Sequence, residues 1–532
     1  MKDSYDVIII GAGMGGLSSG AWLTHMGMKV LVLEQNVQVG GCCSSYKRDG
    51  FNFTPAASII TGTTKKDGVF ERLINRLGIT IPFIPFNQGY HVHLPDFDYY
   101  LYSGGEHARE QLIEQLIRIF PHEAQGIRAF FAKLGKLYAE MEYATFFGTG
   151  PKDIARILLK CRTLLFNMGK GILLFVDDFV KDPKLKTVLS INSTCCNLPP
   201  SRMSVLGIAG LLLEGGLSNP HVKGGAIAVP EAFAKYIRSN GGDVLLGTQV
   251  EKIVTDNGTA TGVRAIKSPL AQEQGYSQGI ADIREFKAKY IVSNAAARQT
   301  FMKLVGADKL PDKFTSMLGR QEPTPPFCAL LLGLNMDLKS RGLIPALHIH
   351  SSTYDTDEQF RNVEAKILSE NGPAPFFRFQ LAPLSDPTSA PQGKTALVIH
   401  AIPAPVTGWE NPDVEKKVAD VMIRRAEKII PGLSKNITYQ EFWSPTTMNK
   451  YLMCGTDASM GWALSPQQVG PKRLAQKTPV KNLLLSGHWT APAVGVMSTV
   501  VSGLQASGMI LRSEGVKEPL ADIGIRQGVV MS

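Results

Sequence analysis

Three glycines, Gly11, Gly13 and Gly16, stand in the run Gly11-Ala12-Gly13-Met14-Gly15-Gly16, directly after the apolar stretch Val7-Ile8-Ile9-Ile10. A second apolar stretch, Val30-Leu31-Val32-Leu33, ends at Glu34, 23 residues after Gly11. Those residue types at that spacing hold a pyrophosphate. Gly11 permits a tight turn, Gly13 lets backbone N–H groups approach phosphates at a helix N-terminus, and Gly16 lets helix and strand pack closely. Met14 and Gly15 complete the same turn. Glu34 can accept both hydroxyls of a ribose and repels a 2′-phosphate, which disfavours NADP. Gln35 opens the continuation to Gly40-Gly41, a pair that lets the chain pass close to a second phosphate and a ribityl chain, with Cys42 and Cys43 next. FAD is therefore preferred to NAD.

Further segments must close such a site. Gly224-Gly225-Ala226-Ile227 precedes a helical pattern through Phe233 and Ile237, and short strands follow at 243–246, 250–254 and 260–266, with Asp256-Asn257-Gly258 as a hairpin turn. Val250 sits where backbone can pair an adenine edge, or is an ordinary sheet residue. A strand at 288–293 leads to Asn294 and three alanines, small enough for a loop to approach the cofactor. Near the C-terminus, Asn482-Leu483-Leu484-Leu485-Ser486-Gly487 reads as a buried strand, followed by His488 and by Gly495-Val496-Met497 opening a helix. That helix N-terminus would face the flavin pyrimidine edge, which becomes anionic on reduction. The alternation at 88–102 suggests a hairpin, and strands at 376–379 and 396–400 suggest a substrate-binding sheet built from separated pieces.

Other catalytic signatures are missing. There is no GxSxG elbow, no HExxH and no paired-carboxylate pattern. If a proton must move, Glu214, His400 and His488 are the candidates by segment. Seven cysteines, without CxxC and with the adjacent pairs Cys42-Cys43 and Cys195-Cys196, suggest a reducing compartment; no structural zinc or other metal is expected.

The bulk properties agree. A chain of 532 residues predicts two or three structural units, and 44% hydrophobic with 19% charged residues indicates a large core. The net charge of +10 is spread along the chain without a basic tail or zinc module, which excludes nucleic acid as a partner. No signal peptide is expected, and no apolar run reaches the roughly 18 residues that span a bilayer. From Pro151 to Lys170, however, Ile154, Ile157, Leu158, Cys161, Leu164, Leu165 and Met168 fall on one helical face beside Lys152, Arg156, Lys160, Arg162 and Lys170, with Asp153 the only acid. Followed by Ile172-Leu173-Leu174-Phe175-Val176, this reads as an interfacial anchor or as an ordinary helix on a core. The expected location is cytoplasmic, peripheral on the inner face of a membrane if the anchor docks.

The Gly11–Gly41 unit, the stretch from Cys42 to Phe51, the strand end Val292-Ser293-Asn294-Ala295 and the 482–487 segment resemble the phytoene desaturase, carotenoid isomerase and retinol saturase superfamily over most of the chain. The resemblance implies an α/β fold with a Rossmann-like FAD-binding domain of the GR2 or amine-oxidase type, a discontinuous mixed-sheet substrate domain and a helical membrane-associated region. The corresponding expected divisions are 1–85, 215–300 and 435–515 for FAD; 86–110 and 301–434 for substrate; and 111–214 for the helical region. It also implies a hydrophobic isoprenoid or polyene substrate held in a tunnel over the flavin. The sequence departs from the pattern at Phe51-Asn52-Phe53-Thr54, where many relatives carry an Asp, and at Gly487-His488, where many amine-oxidase-like flavoproteins have Gly-Asp. His488 is then a flavin contact or a strand-end residue. The expected activity is hydride transfer at a carbon–carbon bond, with carotenoid isomerisation, amine oxidation and redox-silent prenyl binding as alternatives. The residues identify neither the electron donor nor the acceptor.

Overall fold

The computed structural model describes residues 4–57, 60, 62–63, 65–85, 87–145, 151–214, 220–280, 282–361, 376–402, 407–526 and 529–530. In chain order, the strands of its two large sheets are β1 (Ser4–Ile10), β2 (Val30–Leu33), β3 (Gln88–His93), β4 (Asp98–Tyr102), β5 (Asp243–Leu245), β6 (Thr248–Asp256), β7 (Thr259–Lys267), β8 (Arg284–Ser293), β9 (Cys328–Leu334), β10 (Leu347–His350), β11 (Phe376–Gln380), β12 (Thr395–Ile402), β13 (Ile437–Trp443) and β14 (Leu483–Leu485). The helices that matter here are α1 (Met14–His25), α2 (Glu106–Ile119), α3 (Ala124–Ala144), α4 (Pro151–Lys160), α5 (Arg162–Asn167), α6 (Ile172–Asp177), α7 (Ala228–Ser239), α8 (Pro412–Ile429) and α9 (Val496–Ser513).

The first sheet runs β6-β7-β8-β1-β2-β5, with β14 beside β8. Its centre is parallel, since β1 pairs in parallel with both β8 and β2. Parallel strands carry helices over their faces, so the unbroken apolar runs of β1 and β2 are what a strand buried on both sides requires. Val7, Ile9, Val30 and Val32 face a core shared with α1, α7 and α9. Ile8, Ile10, Leu31 and Leu33 face the opposite core. The β6–β7 hairpin turns at Asn257 (φ 45°) and Gly258 (φ 74°), where two consecutive left-handed residues match the strand twist.

The second sheet runs β13-β9-β12-β11-β10-β3-β4 and is antiparallel except for the β10–β3 pair. Period two again divides it: Leu330, Leu332, Leu397 and Ile399 pack under α8, whereas Ala329, Leu331, Ala396 and Val398 face the core that includes the helices after β4. Strand β13 lies within the 435–515 stretch yet pairs with β9 in this second sheet.

The helical region differs from its expected form. Residues 151–170 are two helices, α4 and α5, broken at Cys161 (φ −110°, ψ 46°). The break has a partner in α3: the Glu140 carboxylate, nearly buried, accepts the Leu164 N–H at 2.7 Å and satisfies an amide in the first turn of α5. The expected single apolar face is therefore split. Cys161 and Leu164 are buried, while Ile154 and Leu158 stand in the open with Leu159. No helix among the described residues is long and apolar enough to cross a membrane.

Helices α1 and α9 approach at backbone distance: a Cβ on Gly503 would stand 2.2 Å from the Gly15 carbonyl oxygen and 2.3 Å from Ser18 Oγ. Gly503→Ala is expected to cost about 1–3 kcal/mol in urea unfolding, because overpacked backbone has nowhere to move. Gly169→Ala, where a Cβ meets nothing within 4 Å, should stay within about 0.5 kcal/mol of the parent.

Candidate functional site

The turn after β1 excludes side chains. Gly11 leaves the strand at φ 92°, and Gly13 is the N-cap of α1 with no side chain capping that terminus. A Cβ on Gly13 would meet Asn294 Nδ2 at 2.5 Å, one on Gly15 would meet the Gly487 nitrogen at 2.5 Å, and one on Gly487 would meet Asn294 Oδ1 at 2.5 Å. The Asn294 amide is thus wedged among three glycines from two distant segments. Hydrogen bonds from backbone amides lock the junction: Asn294 N–H donates to the Ile10 carbonyl (2.8 Å), Ser486 N–H to the Ser293 carbonyl (2.9 Å), and Gly487 N–H to the side-chain Oγ of Ser502 (2.7 Å). Gly40 N–H donates to the Ala12 carbonyl at 2.8 Å, laying the second glycine pair on the first turn.

Glu34 ends β2 as a buried carboxylate. Its Oε2 accepts Ala12 N–H (2.7 Å), and its Oε1 accepts the backbone N–H (2.9 Å) and the side-chain Nδ2 (2.8 Å) of Asn36. Burial pushes the carboxyl up from its ordinary range, while the hydrogen bonds from Asn36 and Ala12 pull it back. Beside it, Asn36 Oδ1 is buried without a partner among the described atoms.

From this cradle a cavity of about 350 Å³ extends to the second sheet. Gly11, Gly13, Met14, Gly15, Glu34, Gln35, Gly40, Gly41, Cys42, Cys43, Val250, Asn294, Gly487, His488, Gly495 and Val496 line it, as does His400. Gly16 and Met497 do not. Gly16 lies under the turn, where a Cβ would be 2.3 Å from the Gly11 carbonyl oxygen, and Met497 belongs to the core shared by β1, α1 and α9. The Glu214 side chain falls outside the described ones. Gly495 (φ 96°) starts α9, whose N-terminus is likewise free of a side-chain cap.

The far wall is one face of the second sheet: Tyr90, Leu347, Arg378, Gln380 and His400. His400 Nε2 donates to the Pro55 carbonyl at 2.7 Å, which leaves Nδ1 to accept Gln380 Nε2 at 3.2 Å. Burial, with the nearby Arg378 charge, holds His400 down at about 3. His488 is held at about 4 by burial and by Arg473. Arg473, itself buried, donates to the Thr490, Trp462 and His488 carbonyls at 2.9, 3.2 and 2.8 Å and clamps that loop. Both histidines are therefore neutral near pH 7 and poor proton donors.

Sequence reasoning missed Arg378. It is buried, it reaches the Cys195 carbonyl only at 3.5 Å, and its Nε has no partner among the described atoms. Its signal was a lone charge inside Phe376-Phe377-Arg378-Phe379. Also missed was an aromatic cluster in which Trp443 stacks on Tyr451 with centroids 5.3 Å apart and Tyr46 leans on both, 5.1 Å from Trp443 and 6.4 Å from Tyr451. Among the described lining residues Glu34 is the only carboxylate.

These features fit FAD. A Cβ would fill the glycine cradle, two uncapped helix N-termini open on the cavity, and a buried acid with an orphaned amide oxygen at its side stands where a ribose is read.

Residues 14–511 match the family described as flavin containing amine oxidoreductase. The chain is 26% identical to the chloroplastic prolycopene isomerase of Arabidopsis thaliana, over 98% of this chain and 85% of that protein. It is 24% identical to the lycopene-forming phytoene desaturase of Pseudescherichia vulneris (95% and 98% covered) and 27% identical to the inactive all-trans-retinol 13,14-reductase of Danio rerio (92% and 83%). Among solved structures, an oxidoreductase from Methanosarcina mazei aligns at TM-score 0.59 and 16% identity over 94% of this chain and 100% of that one. Putrescine oxidase bound to putrescine aligns at 0.59 and 13%, covering 96% and 99%. These two likenesses show a shared fold.

Gly13→Ala, which drives a methyl into the Asn294 amide, is expected to weaken FAD binding about tenfold or more, read as flavin fluorescence released on dilution. Unchanged retention would separate the glycine turn from the cofactor.

Proposed function

The chain belongs to the family of flavin containing amine oxidoreductases, and from that premise we propose that this FAD-dependent enzyme acts on a carbon–carbon bond of a long, apolar isoprenoid or polyene. The observation that carries the reading is the charge pattern of the cavity. Beyond the glycine cradle its lining is largely aromatic and aliphatic, with one buried cation at Arg378 and a neutral histidine at His400. An ammonium substrate would meet Arg378 with no carboxylate at that end, which argues against amine oxidation.

When bound, FAD supplies hydride exchange with carbon. In this reading Glu34 holds the ribose, the 11–15 and 40–41 turns hold the pyrophosphate, Val250 backbone meets the adenine, and the α9 N-terminus at Gly495-Val496 faces the pyrimidine edge. Tyr46, Trp443, Tyr451, Phe327 and Leu347 hold the chain of the substrate and keep water out. Because His400 and His488 stay neutral, and the one N–H of His400 is already donated to Pro55, these residues contribute position rather than proton transfer. The relatives named for prolycopene, phytoene and all-trans-retinol support the substrate class.

The second part of the proposal is a membrane surface as the source of that substrate. Helix α4 buries none of its side chains; Leu159 is 70% exposed, Phe166 of α5 is 87% exposed and Leu174 of α6 is 64% exposed. Lys152, Arg156, Lys160 and Arg162 stand among these positions in the sequence. Exposed apolar side chains interspersed with lysine and arginine suit the boundary between acyl chains and anionic headgroups.

Anaerobic absorbance titration of the FAD-loaded protein with liposomes carrying phytoene-like, carotenoid and retinoid lipids should bleach the oxidised flavin as a more unsaturated product accumulates. Bleaching by putrescine-type amines, with no response to any lipid, would overturn the assignment; geometrical isomers formed only by pre-reduced enzyme would convert it to an isomerase.

For the surface, Leu159→Glu with Phe166→Glu is expected to lower sedimentation with anionic vesicles more than tenfold, since two exposed side chains each give about 1.5–3 kcal/mol on burial. Flavin absorbance should not change. Equal sedimentation of parent and variant would rule this patch out.

A further inference from the structure

Four histidines occupy two adjacent strands on the side of the second sheet away from the flavin. In the parallel pairing of β3 with β10, His91 lies beside His348 and His93 beside His350. Side chains alternate along a strand, so Tyr90 and Leu347 take the cavity face and the histidines take the other.

His93 Nε2 stands 3.1 Å from His348 Nδ1, and one ring nitrogen from each of His91, His93 and His348 falls within 4.8 Å of the other two. Tetrahedral zinc, with Zn–N bonds of roughly 2.0–2.1 Å, separates its nitrogen ligands by about 3.4 Å, so small rotations of the rings suffice. Two of the rings are already oriented from outside. His348 Nε2 donates to the Ile344 carbonyl at 3.0 Å, which leaves its Nδ1 lone pair directed at His93. His91 Nε2 pairs with the Asp98 carboxylate, while His91 Nδ1 is buried with no partner among the described atoms. A carbonyl or carboxylate on the distal nitrogen is the usual support of a metal-bound imidazole. His350 stacks on His93 at 4.1 Å and Tyr100 on His91 at 4.3 Å, walling the cluster on two sides.

We propose that His91, His93 and His348 bind a divalent transition metal of the zinc class, with Asp98 and the Ile344 carbonyl orienting the ligands. Three imidazoles without thiolate select zinc, nickel, cobalt or copper over magnesium and calcium. The ion would tie β3 to β10 across 255 residues of sequence. That separation explains why no metal was expected: His91 and His93 alone read as alternation on a strand.

Tag-free, FAD-loaded protein stripped with chelator is titrated with zinc by calorimetry and with cobalt by visible absorption. The expected result is saturable uptake of about one ion per chain, with tetrahedral cobalt bands. His93→Gln and His348→Gln should each lose it, while His350→Gln keeps it; the flavin spectrum reports folding of every variant. If a glutamine variant loses its flavin, Asp98→Asn, which leaves all three ligands in place, should weaken zinc about tenfold or more. No saturable uptake by folded parent protein, or uptake that survives in both His93→Gln and His348→Gln, would overturn the site.

Discussion

The flavin end depends on the absence of β-carbons around Asn294. Three stretches, residues 11–16, 294 and 487, meet at backbone distance, and the space between them is filled by one amide side chain. A carboxamide suits that position because it packs against glycine backbone without burying a charge there. The same exclusion continues outward, where Gly503 lets α9 lie on α1 and so carries the α9 N-terminus to the cavity. Close packing here is a condition for leaving amides uncapped and turned toward a ligand.

The second sheet complements this rigid cradle with a wall of different character. One pleat face supplies Tyr90, Leu347, Arg378, Gln380 and His400 to the cavity, and the other faces α8 at one end and gathers histidines at the other. Arg378 shapes the electrostatics of the inner face. Buried and weakly paired, it helps keep His400 neutral and leaves the wall with a single unbalanced positive charge. A chain of carbon and hydrogen tolerates such a wall better than a cation does.

Much of this was legible wherever the determinants are local. The glycine spacing, Glu34, the Asp256-Asn257-Gly258 turn and the strand before Gly487 each announce themselves within a few residues, and all lie where expected. The break at Cys161 was hidden because the carboxylate that stabilises it comes from Glu140 on another helix. Arg378, the stack around Trp443 and the crossing of β13 into the second sheet were hidden for the same reason: each is defined by a partner far along the chain. Gly16 and Met497 show the limit of reading a motif as a list of contacts, since both support the cradle from beneath.

Strand β8 is flanked along one side by β1; on the other side β7 covers its first half and β14 its last. During synthesis, the half that leads into Asn294 therefore keeps an open, apolar edge until residues 483–485 leave the ribosome. The cradle is completed only after the second sheet has been made. While residues 294–482 are added, such a nascent chain carries an unpaired apolar strand edge, the kind of edge that invites pairing with a neighbouring chain.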